Sequence, residues 1–291
     1  MMRAYLDGRF LPLSEARISP MDRGFLYADG VYEVIPVYSR FPFRLEEHLR
    51  RLQNSLDGIR LPNPHSVAEW RQKIHQLITE TDFDDQAVYL QVTRGADVRR
   101  DACFPKNIPQ TVFMFSAPLI APSSEQRETG VKAVTAPDIR WLRCDLKSVS
   151  LLPNVLTRQL SADVGATETI MLRDGYLTEG SASNVFIVKD GVLLAPPKDS
   201  LILPGVTYDV VLELTVKHNA PYELRRISEA ELRDADEIWV TSSSKEVLAV
   251  TTLDDTPVGK GDWVGRPGPL ARKTHAWFRE FKEQVMRRPG A

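Results

Sequence analysis

The pattern of hydrophobic and polar positions predicts that the chain begins with β-strands. Asp7-Gly8 separates two apolar runs within 5–11, and Asp-Gly between such runs is the strongest short-range sign of a β-hairpin. Over 31–38, β-branched and aromatic residues alternate with polar ones, which predicts a strand. Pro36 places that strand at a sheet edge or a bulge, because proline cannot donate a ladder hydrogen bond.

Helical periodicity follows in the same half of the chain. Leucines recur at intervals of four, three and four residues over 45–57, which predicts an amphipathic helix that Gly58 ends. A second helix is predicted over 66–80, and short apolar runs predict strands over 87–94 and 111–117. This half therefore has a mixed α+β pattern.

A polar segment with two prolines, 118–130, has the composition of a linker. We therefore predict an N-terminal α+β domain over 1–120, a linker over 121–130 and a larger, β-rich C-terminal domain with flanking helices over 131–291. The fold class is α/β (α+β) with two domains. In the second domain, strands are predicted over 131–136, 168–172, 176–179, 185–189 and 192–195, and helices over 151–165, 207–219 and 269–287.

Composition and charge exclude several classes of protein. Hydrophobic residues make up 43% and charged residues 26% of the chain, which is typical of globular proteins and excludes fibrous and disordered classes. A net charge of -2 creates no field that would attract nucleic acid or an anionic membrane. The two cysteines, Cys103 and Cys144, are too few for a disulfide framework or a cysteine metal site, so no metal is predicted. No apolar run is long enough to span a bilayer, and we predict a cytoplasmic protein.

The first candidate for chemistry is Lys147, at the end of the strand-like stretch 139–148. If this stretch is extended, Lys147 shares a face with Trp141, Arg143 and Asp145. A lysine held among cations and partly removed from water has a lowered pKa, as a Schiff-base nucleophile needs. The alternative is a surface lysine whose apolar neighbours merely cover its stem.

Two further segments carry small and hydroxyl-bearing residues. Within 178–186, Glu179 heads a Gly-Ser-rich connection that can hold an anion or a cofactor ring, although a polar turn with an exposed glutamate is the alternative. Gly205 precedes a predicted helix with Thr207 in its first turn, which is typical of a phosphate site, unless Thr207 simply caps the helix. The hydroxyl cluster 241–244 follows a predicted strand and is a candidate second side of the same site.

The order and spacing of these features resemble the fold-type IV pyridoxal-phosphate-dependent aminotransferases, and most closely the D-amino-acid (D-alanine) transaminases. The resemblance runs nearly from end to end of the chain, and its most specific segments are 22–34, 139–147 and 179–186. It implies pyridoxal 5'-phosphate as cofactor and a homodimer as the minimal assembly.

The resemblance also implies roles for individual residues. Lys147 would be the Schiff-base lysine and proton shuttle, and Glu179 would face the pyridine nitrogen and keep it protonated. Arg51 would bind the phosphate, with the adjacent Arg50 as the alternative. The remaining implied contacts are Val206, Thr207 and Ser243 at the phosphate, Leu203 beneath the ring, and Ser183 and Asn184 beside it.

The substrate site departs from the family pattern. D-amino-acid transaminases hold the substrate α-carboxylate with a tyrosine, which Tyr32 matches, and with an Arg-x-His pair that stands shortly before Phe-Pro and is contributed by the other subunit. Aligning back from 104–105 places Arg100 at the arginine but Ala102 at the histidine, and the loop is one residue longer. The lost donor should weaken carboxylate binding, and Arg99 and Arg100 both stay candidates for the guanidinium.

The predicted function is a ping-pong transaminase that moves the amino group of a D-amino acid, of D-alanine or D-glutamate type, to a 2-oxo acid such as 2-oxoglutarate. Three alternatives share the fold and cofactor: an (R)-amine transaminase, which the missing histidine favours, a branched-chain L-amino-acid aminotransferase and an aminodeoxychorismate lyase. A cofactor-free binding protein is the alternative of a different class.

Overall fold

The computed structural model describes residues 2–288, which divide into two compact units. Among these residues, the N-terminal unit contains 2–119, 146–151 and 284–288, and the C-terminal unit contains 120–145 and 152–283. Lys147 therefore belongs to the N-terminal unit, whereas the sequence interpretation assigned it to the domain over 131–291. The physical reason is that the segment around Lys147 forms backbone hydrogen bonds with a strand of the N-terminal sheet.

The N-terminal unit is an antiparallel sheet covered by two helices. The strands follow the order β2-β1-β6-β5-β3-β4. Its elements are β1 (Arg3–Leu6), β2 (Arg9–Pro12), α1 (Arg23–Tyr27), β3 (Gly30–Tyr38), β4 (Phe41–Pro42), α2 (Leu45–Gly58), α3 (Val67–Thr79), β5 (Gln86–Thr93) and β6 (Thr111–Pro118).

The predicted elements of this unit are confirmed. Asp7 and Gly8 adopt φ angles of 45° and 95°, as the two-residue turn between β1 and β2 requires. β4 pairs only with the last two residues of β3, so Pro36 lies at an edge of the sheet. The leucine stripe of α2 packs into the core with Trp70 and Ile74 of α3. The short helix α1 was not predicted; the side chain of Asp22 caps it.

The C-terminal unit is built on a nine-stranded mixed sheet. The strand order is β12-β11-β10-β13-β14-β7-β8-β9, with β15 paired to β14. Its elements are α4 (Ser124–Thr129), β7 (Val131–Pro137), α5 (Leu152–Asp163), β8 (Glu168–Arg173), β9 (Tyr176–Gly180), β10 (Asn184–Lys189), β11 (Val192–Ala195), α6 (Val206–Lys217), β12 (Tyr222–Leu224), α7 (Glu229–Arg233), β13 (Glu237–Ser242), β14 (Glu246–Leu253), β15 (Thr256–Pro257) and α8 (Pro269–Phe281), which a π-helical turn over Lys282–Met286 follows.

Two predictions for this part of the chain need correction, and β12, α7, β14 and β15 were not predicted. Residues 124–129 of the predicted linker form α4, because Ser123 and Gln126 make a reciprocal capping box. The stretch 139–148 is irregular rather than extended, so the shared face predicted for Lys147 does not form. Strand β14 was missed because its positions are buried without the alternation that marks a half-exposed strand. Within 2–288, no helix has the length and apolar character needed to cross a bilayer.

Candidate active site

Strand β3 fixes the backbone of Lys147 from both sides. The N–H of Tyr32 donates to the carbonyl of Lys147 (2.9 Å), and the N–H of Val149 donates to the carbonyl of Gly30 (3.0 Å). The N–H of Lys147 itself donates to Ser55 Oγ on α2 (3.1 Å). These bonds hold the lysine against the sheet without any regular secondary structure of its own.

The side chain of Lys147 lies over an aromatic ring. Its Nζ is 4.2 Å from the centre of the Tyr32 ring, and the lysine is half-buried. Close packing supports this position, because Gly58 at the end of α2 leaves room for the Leu146 side chain, which a β-carbon there would displace. The structure thus brings together two of the residues predicted from the sequence, Lys147 and Tyr32.

A buried ion pair holds Arg51. Glu33 is fully buried; its Oε1 accepts from Arg51 Nε (2.7 Å) and its Oε2 accepts from Arg51 Nη2 (2.8 Å). Burial alone would raise the pKa of Glu33, but Arg51 and then His48 hold it far below its usual range. Arg50 is exposed, so of the two candidate arginines only Arg51 has a fixed guanidinium.

His48 completes this cluster, and the sequence interpretation missed it together with Glu33. Its Nδ1 donates to Glu33 Oε2 (2.8 Å), while Nε2 is buried with no hydrogen-bond partner among the described residues. Burial lowers the pKa of His48, Glu33 opposes this effect, and the cations of Arg51 and Lys147 add to it. His48 is therefore neutral at physiological pH. The sequence feature that could have identified Glu33 is a charged residue at a buried position of the hydrophobic strand β3.

In the C-terminal unit, Glu179 contacts Arg140, Asn184 and Leu203. One carboxylate oxygen is paired with Arg140. The other accepts from the N–H of Leu203 (3.0 Å) and from Asn184 Nδ2 (3.1 Å), and Asn184 also donates to the Leu203 carbonyl (2.9 Å). Glu179 and Asn184 of the segment 179–186 are thus brought into one cluster with Leu203, which was predicted from another part of the chain. The alternative of an exposed glutamate is wrong, because Glu179 is only 5% exposed.

Burial raises the pKa of Glu179 to about 7, and Arg140 opposes that rise. Arg140 is held in turn by Asp138, whose Oδ2 lies 2.8 Å from Nη2, and by the Leu201 carbonyl (3.0 Å). The sequence interpretation gave neither Asp138 nor Arg140 a role. The sequence feature that could have identified them is a pair of opposite charges, two residues apart, directly after strand β7.

Helix α6 begins without a side-chain cap. Gly205 is its N-cap residue, no side chain among the described residues caps it, and Thr207 lies in the first turn. The alternative in which Thr207 caps the helix is therefore wrong. A β-carbon on Gly205 would collide with Asn184 Oδ1, so glycine lets the helix start approach the Glu179 cluster. The uncapped first turn, in which Val206 also lies, leaves N–H groups available to an anion.

The hydroxyl cluster 241–244 lies at the turn between β13 and β14. Thr241 Oγ1 is buried and has no hydrogen-bond partner among the described residues, which is unusual for a polar atom in that position. Ser243 is half-buried. In the neighbouring connection between β9 and β10, Ser183 Oγ donates to Glu168 Oε2 (2.6 Å).

The two predicted guanidinium groups belong to exposed residues. These residues are Arg99 and Arg100, and the guanidinium of Arg100 lies 5.0 Å from the centre of the Tyr27 ring. Arg23 anchors this loop by donating to the carbonyl of Ala102 (3.2 Å).

Proteins of one family match most of this chain. The profile of the family described as amino-transferase class IV matches residues 30–253. The chain is 39% identical over 271 residues to a D-alanine aminotransferase of Bacillus licheniformis, covering 93% of this chain and 94% of that protein. It is 35% identical over 283 residues to a D-alanine aminotransferase of Staphylococcus aureus (strain MW2), covering 97% and 99%. The crystal structure of a T.th. branched-chain amino acid aminotransferase with pyridoxamine 5'-phosphate superposes with a TM-score of 0.89 at 26% identity, covering 99% of this chain and 95% of that one.

Proposed function

The chain belongs to the class IV aminotransferase family, and from that premise we propose that it is a pyridoxal-phosphate-dependent D-amino-acid transaminase. The single observation that carries the substrate class is the identity of 35% or more, over almost the whole chain, to D-alanine aminotransferases of two organisms. The proposed reaction moves the amino group of a D-amino acid such as D-alanine or D-glutamate to a 2-oxo acid such as 2-oxoglutarate.

The residues present fit pyridoxal 5'-phosphate. Thr241 Oγ1 is a buried hydroxyl with no partner among the described residues, and the first turn of α6 offers uncapped N–H groups. Such donors suit a phosphate. The residues that would hold the cofactor are Arg51, Val206, Thr207 and Ser243 at the phosphate, Lys147 at the aldehyde carbon, Glu179 at the pyridine nitrogen, and Ser183, Asn184 and Leu203 at the ring. When bound, the cofactor supplies an electron sink for the negative charge left at the substrate Cα.

Glu179 would hold a proton at the pyridine nitrogen. With a pKa of about 7, its carboxyl group is present in both the protonated and the ionised form near neutral pH. A cationic N–H placed beside it would lower that pKa and favour the carboxylate. Arg140 and the N–H of Leu203 orient the two carboxylate oxygens for this contact.

Lys147 would move the proton at the substrate Cα. Hydrogen bonds to β3 and α2 fix its backbone, and its amine lies over the Tyr32 ring, so the position of the base is set before the substrate arrives. A base on one fixed side of the substrate removes the α-proton of one enantiomer only, provided that the α-carboxylate is clamped. Tyr32 and one of Arg99 and Arg100 are the residues proposed to clamp it.

An (R)-amine transaminase is the second candidate. One observation favours it: Ala102 stands at the position where the family has a histidine. A weaker carboxylate clamp would lower the preference for α-amino acids over primary amines that lack the carboxylate.

We further propose that the functional assembly is a homodimer. Helix α5 exposes an apolar stripe at helical spacing, with Leu152 at 69%, Val155 at 59%, Leu156 at 53% and Leu160 at 49% exposure. Such a contiguous apolar face marks an interaction site, and a second copy of the chain is the expected partner in this family. A cytoplasmic location is also proposed; Cys103 and Cys144 are both free thiols, as reducing compartments maintain them.

One half-reaction tests the proposed function. The purified, cofactor-loaded protein is mixed separately with D-alanine, L-leucine and (R)-1-phenylethylamine, without a 2-oxo acid, and the absorbance of the lysine-linked cofactor is followed as it converts to the aminated form. We expect fast conversion with D-alanine. Conversion with L-leucine or with the amine but not with D-alanine would overturn the proposal and identify one of the sibling activities.

A further inference from the structure

Glu168, the first residue of β8, is a fully buried carboxylate with five donors around it. Its Oε1 accepts from the N–H groups of Thr169 (2.9 Å) and Ser181 (3.0 Å) and from the Ser181 hydroxyl. Its Oε2 accepts from Ser183 Oγ (2.6 Å) and lies 3.0 Å from Lys245 Nζ. Burial would raise the pKa of Glu168, but Lys245 and the serine hydroxyls lower it, so the group is ionised at neutral pH.

Apart from the N–H of Thr169, which belongs to β8 itself, these donors come from two separate loops. Ser181 and Ser183 belong to the connection between β9 and β10, immediately after Glu179. Lys245 belongs to the turn between β13 and β14 that carries the hydroxyl cluster 241–244, and its own N–H donates to Ser242 Oγ (3.0 Å). One buried carboxylate thus joins the loop beside the Glu179 cluster to the turn that carries Ser243.

The loop between β9 and β10 is packed tightly onto Glu168. A β-carbon on Gly180 would collide with Ser183 Oγ and would lie 3.0 Å from the Glu168 carboxyl carbon. The Gly180 N–H also closes the loop by donating to the Ser183 carbonyl (2.7 Å). Glycine at position 180 therefore permits the conformation in which the loop contacts Glu168 and Asn184 donates to Glu179.

We infer that Glu168 is a positioning residue for the cofactor, which sets the loop 180–184 through Ser181 and Ser183 and the turn 241–244 through Lys245. This inference rests on the proposed function, because it assumes that both loops contact pyridoxal phosphate. A buried ion pair contributes little net stability, since desolvation offsets its attraction, whereas its directional bonds fix the relative positions of the segments that it joins. The expected consequence is an effect on cofactor affinity rather than on folding alone.

The position of each partner predicts which part of the cofactor it affects. Lys245 lies in the turn assigned to the phosphate, so Lys245→Met should raise the dissociation constant of pyridoxal 5'-phosphate about tenfold, which is about 1.4 kcal/mol. It should change the dissociation constant of pyridoxal, which lacks the phosphate, by less than about twofold. Glu168→Gln releases both loops, so it should weaken the binding of both compounds about tenfold or more.

Two variants and one control make the test decisive. Apo-protein of each variant is titrated with both compounds, and unfolding of the apo-protein by heat is followed in parallel. Lys282→Met is the matched control: Lys282 Nζ lies 2.7 Å from Glu246 Oε1, its side chain is 12% exposed against 17% for Lys245, and its partner Glu246 directly follows Lys245. Its cofactor affinity should equal that of the unmodified protein.

A purely electrostatic role would give the opposite sign for Glu168→Gln, because an uncompensated Lys245 would attract the phosphate more strongly. Tighter or unchanged phosphate binding in that variant would overturn the inference, and so would equal losses for both compounds in Lys245→Met. Since the Lys245 side chain is partly exposed, that variant decides the question if Glu168→Gln does not fold. Failure of the unmodified protein to bind pyridoxal phosphate would instead refute the proposed function.

Discussion

Replacing Glu179 by glutamine should make the apo-protein more stable at alkaline pH while it impairs the proposed catalysis. Glu179 is only 5% exposed, and burial raises its pKa from 4.5 to about 7 in spite of Arg140. The folded state therefore binds a proton that the unfolded chain has already lost between these two pH values. By linkage, the free energy of unfolding falls as the pH rises through this interval, and the full loss applies above pH 7.

The magnitude follows from the two pKa values. One pKa unit corresponds to about 1.36 kcal/mol, so ionisation of buried Glu179 lowers the free energy of unfolding by roughly 3 kcal/mol at high pH. Of this, about 2.5 kcal/mol develops between about pH 5 and pH 8. Glutamine does not titrate, so the variant should gain about that amount relative to the unmodified protein over the same interval.

Urea unfolding of the two apo-proteins at several pH values measures this difference. Tryptophan fluorescence follows the transition, since Trp239 in the unit of Glu179 and Trp70 in the N-terminal unit are both fully buried. Asp254→Asn is the control, since Asp254 lies in the same unit as Glu179 and is paired with Arg233 (3.0 Å), but has a lowered pKa. The stabilisation that this carboxylate contributes is lost only as the pH falls below the pKa that the group has in the unfolded chain. The difference in unfolding free energy between Asp254→Asn and the unmodified protein should therefore stay constant from about pH 5 to pH 8.

A stability difference for Glu179→Gln that changes by less than about 0.5 kcal/mol over this interval would refute the reasoning. A change of the opposite sign would mean that Arg140 outweighs burial and that the carboxylate is the stable form in the folded protein. In either case, the assignment of Glu179 as a group poised to meet a protonated pyridine nitrogen would lose its electrostatic support.

Two further predictions concern catalysis and assembly. Lys147→Ala should abolish transamination and the absorbance of the lysine-linked cofactor, because no other amine among the described residues is held at that position by β3. Substantial turnover of D-alanine and 2-oxoglutarate by this variant would contradict the assignment. Leu156→Lys should shift the protein from dimer to monomer in sedimentation velocity. Gln72→Lys, at an exposed position of α3, introduces the same charge away from α5 and should leave the dimer intact. An unchanged dimer in Leu156→Lys would exclude the α5 stripe as the interface.

Local patterns in the sequence predicted much of the fold because those patterns act over short distances. The Asp7-Gly8 turn and the leucine stripe of α2 depend only on neighbours along the chain, and both are confirmed. Helix α4 was missed although its capping box at Ser123 is also local, so this error was one of interpretation. Strand β14 was missed for a physical reason, since burial on both faces removes the alternation that identifies a strand.

The candidate site shows the same division. Motif order in the sequence singled out Lys147, Glu179 and Thr207, because each stands in a segment whose composition suits its chemistry. Their partners Glu33, Arg140 and Glu168 carry no such local signal. A buried carboxylate or guanidinium becomes recognisable only when the groups that neutralise it are known, and these lie 18 to 77 residues away along the chain for the pairs Glu33–Arg51, Arg140–Glu179 and Glu168–Lys245.

The sequence by itself determined the elements that frame the site, the class of chemistry and the identity of the amine and carboxylate proposed to perform it. The tertiary structure alone decided that Lys147 packs against β3, that Arg51 and not Arg50 is fixed by a carboxylate, and that Glu168 ties two loops together. The reason is the range of the forces involved. Periodicity and turn chemistry depend on adjacent residues, whereas the pKa of Glu179 and the pairing of buried charges depend on desolvation and on groups that meet only after the chain has folded.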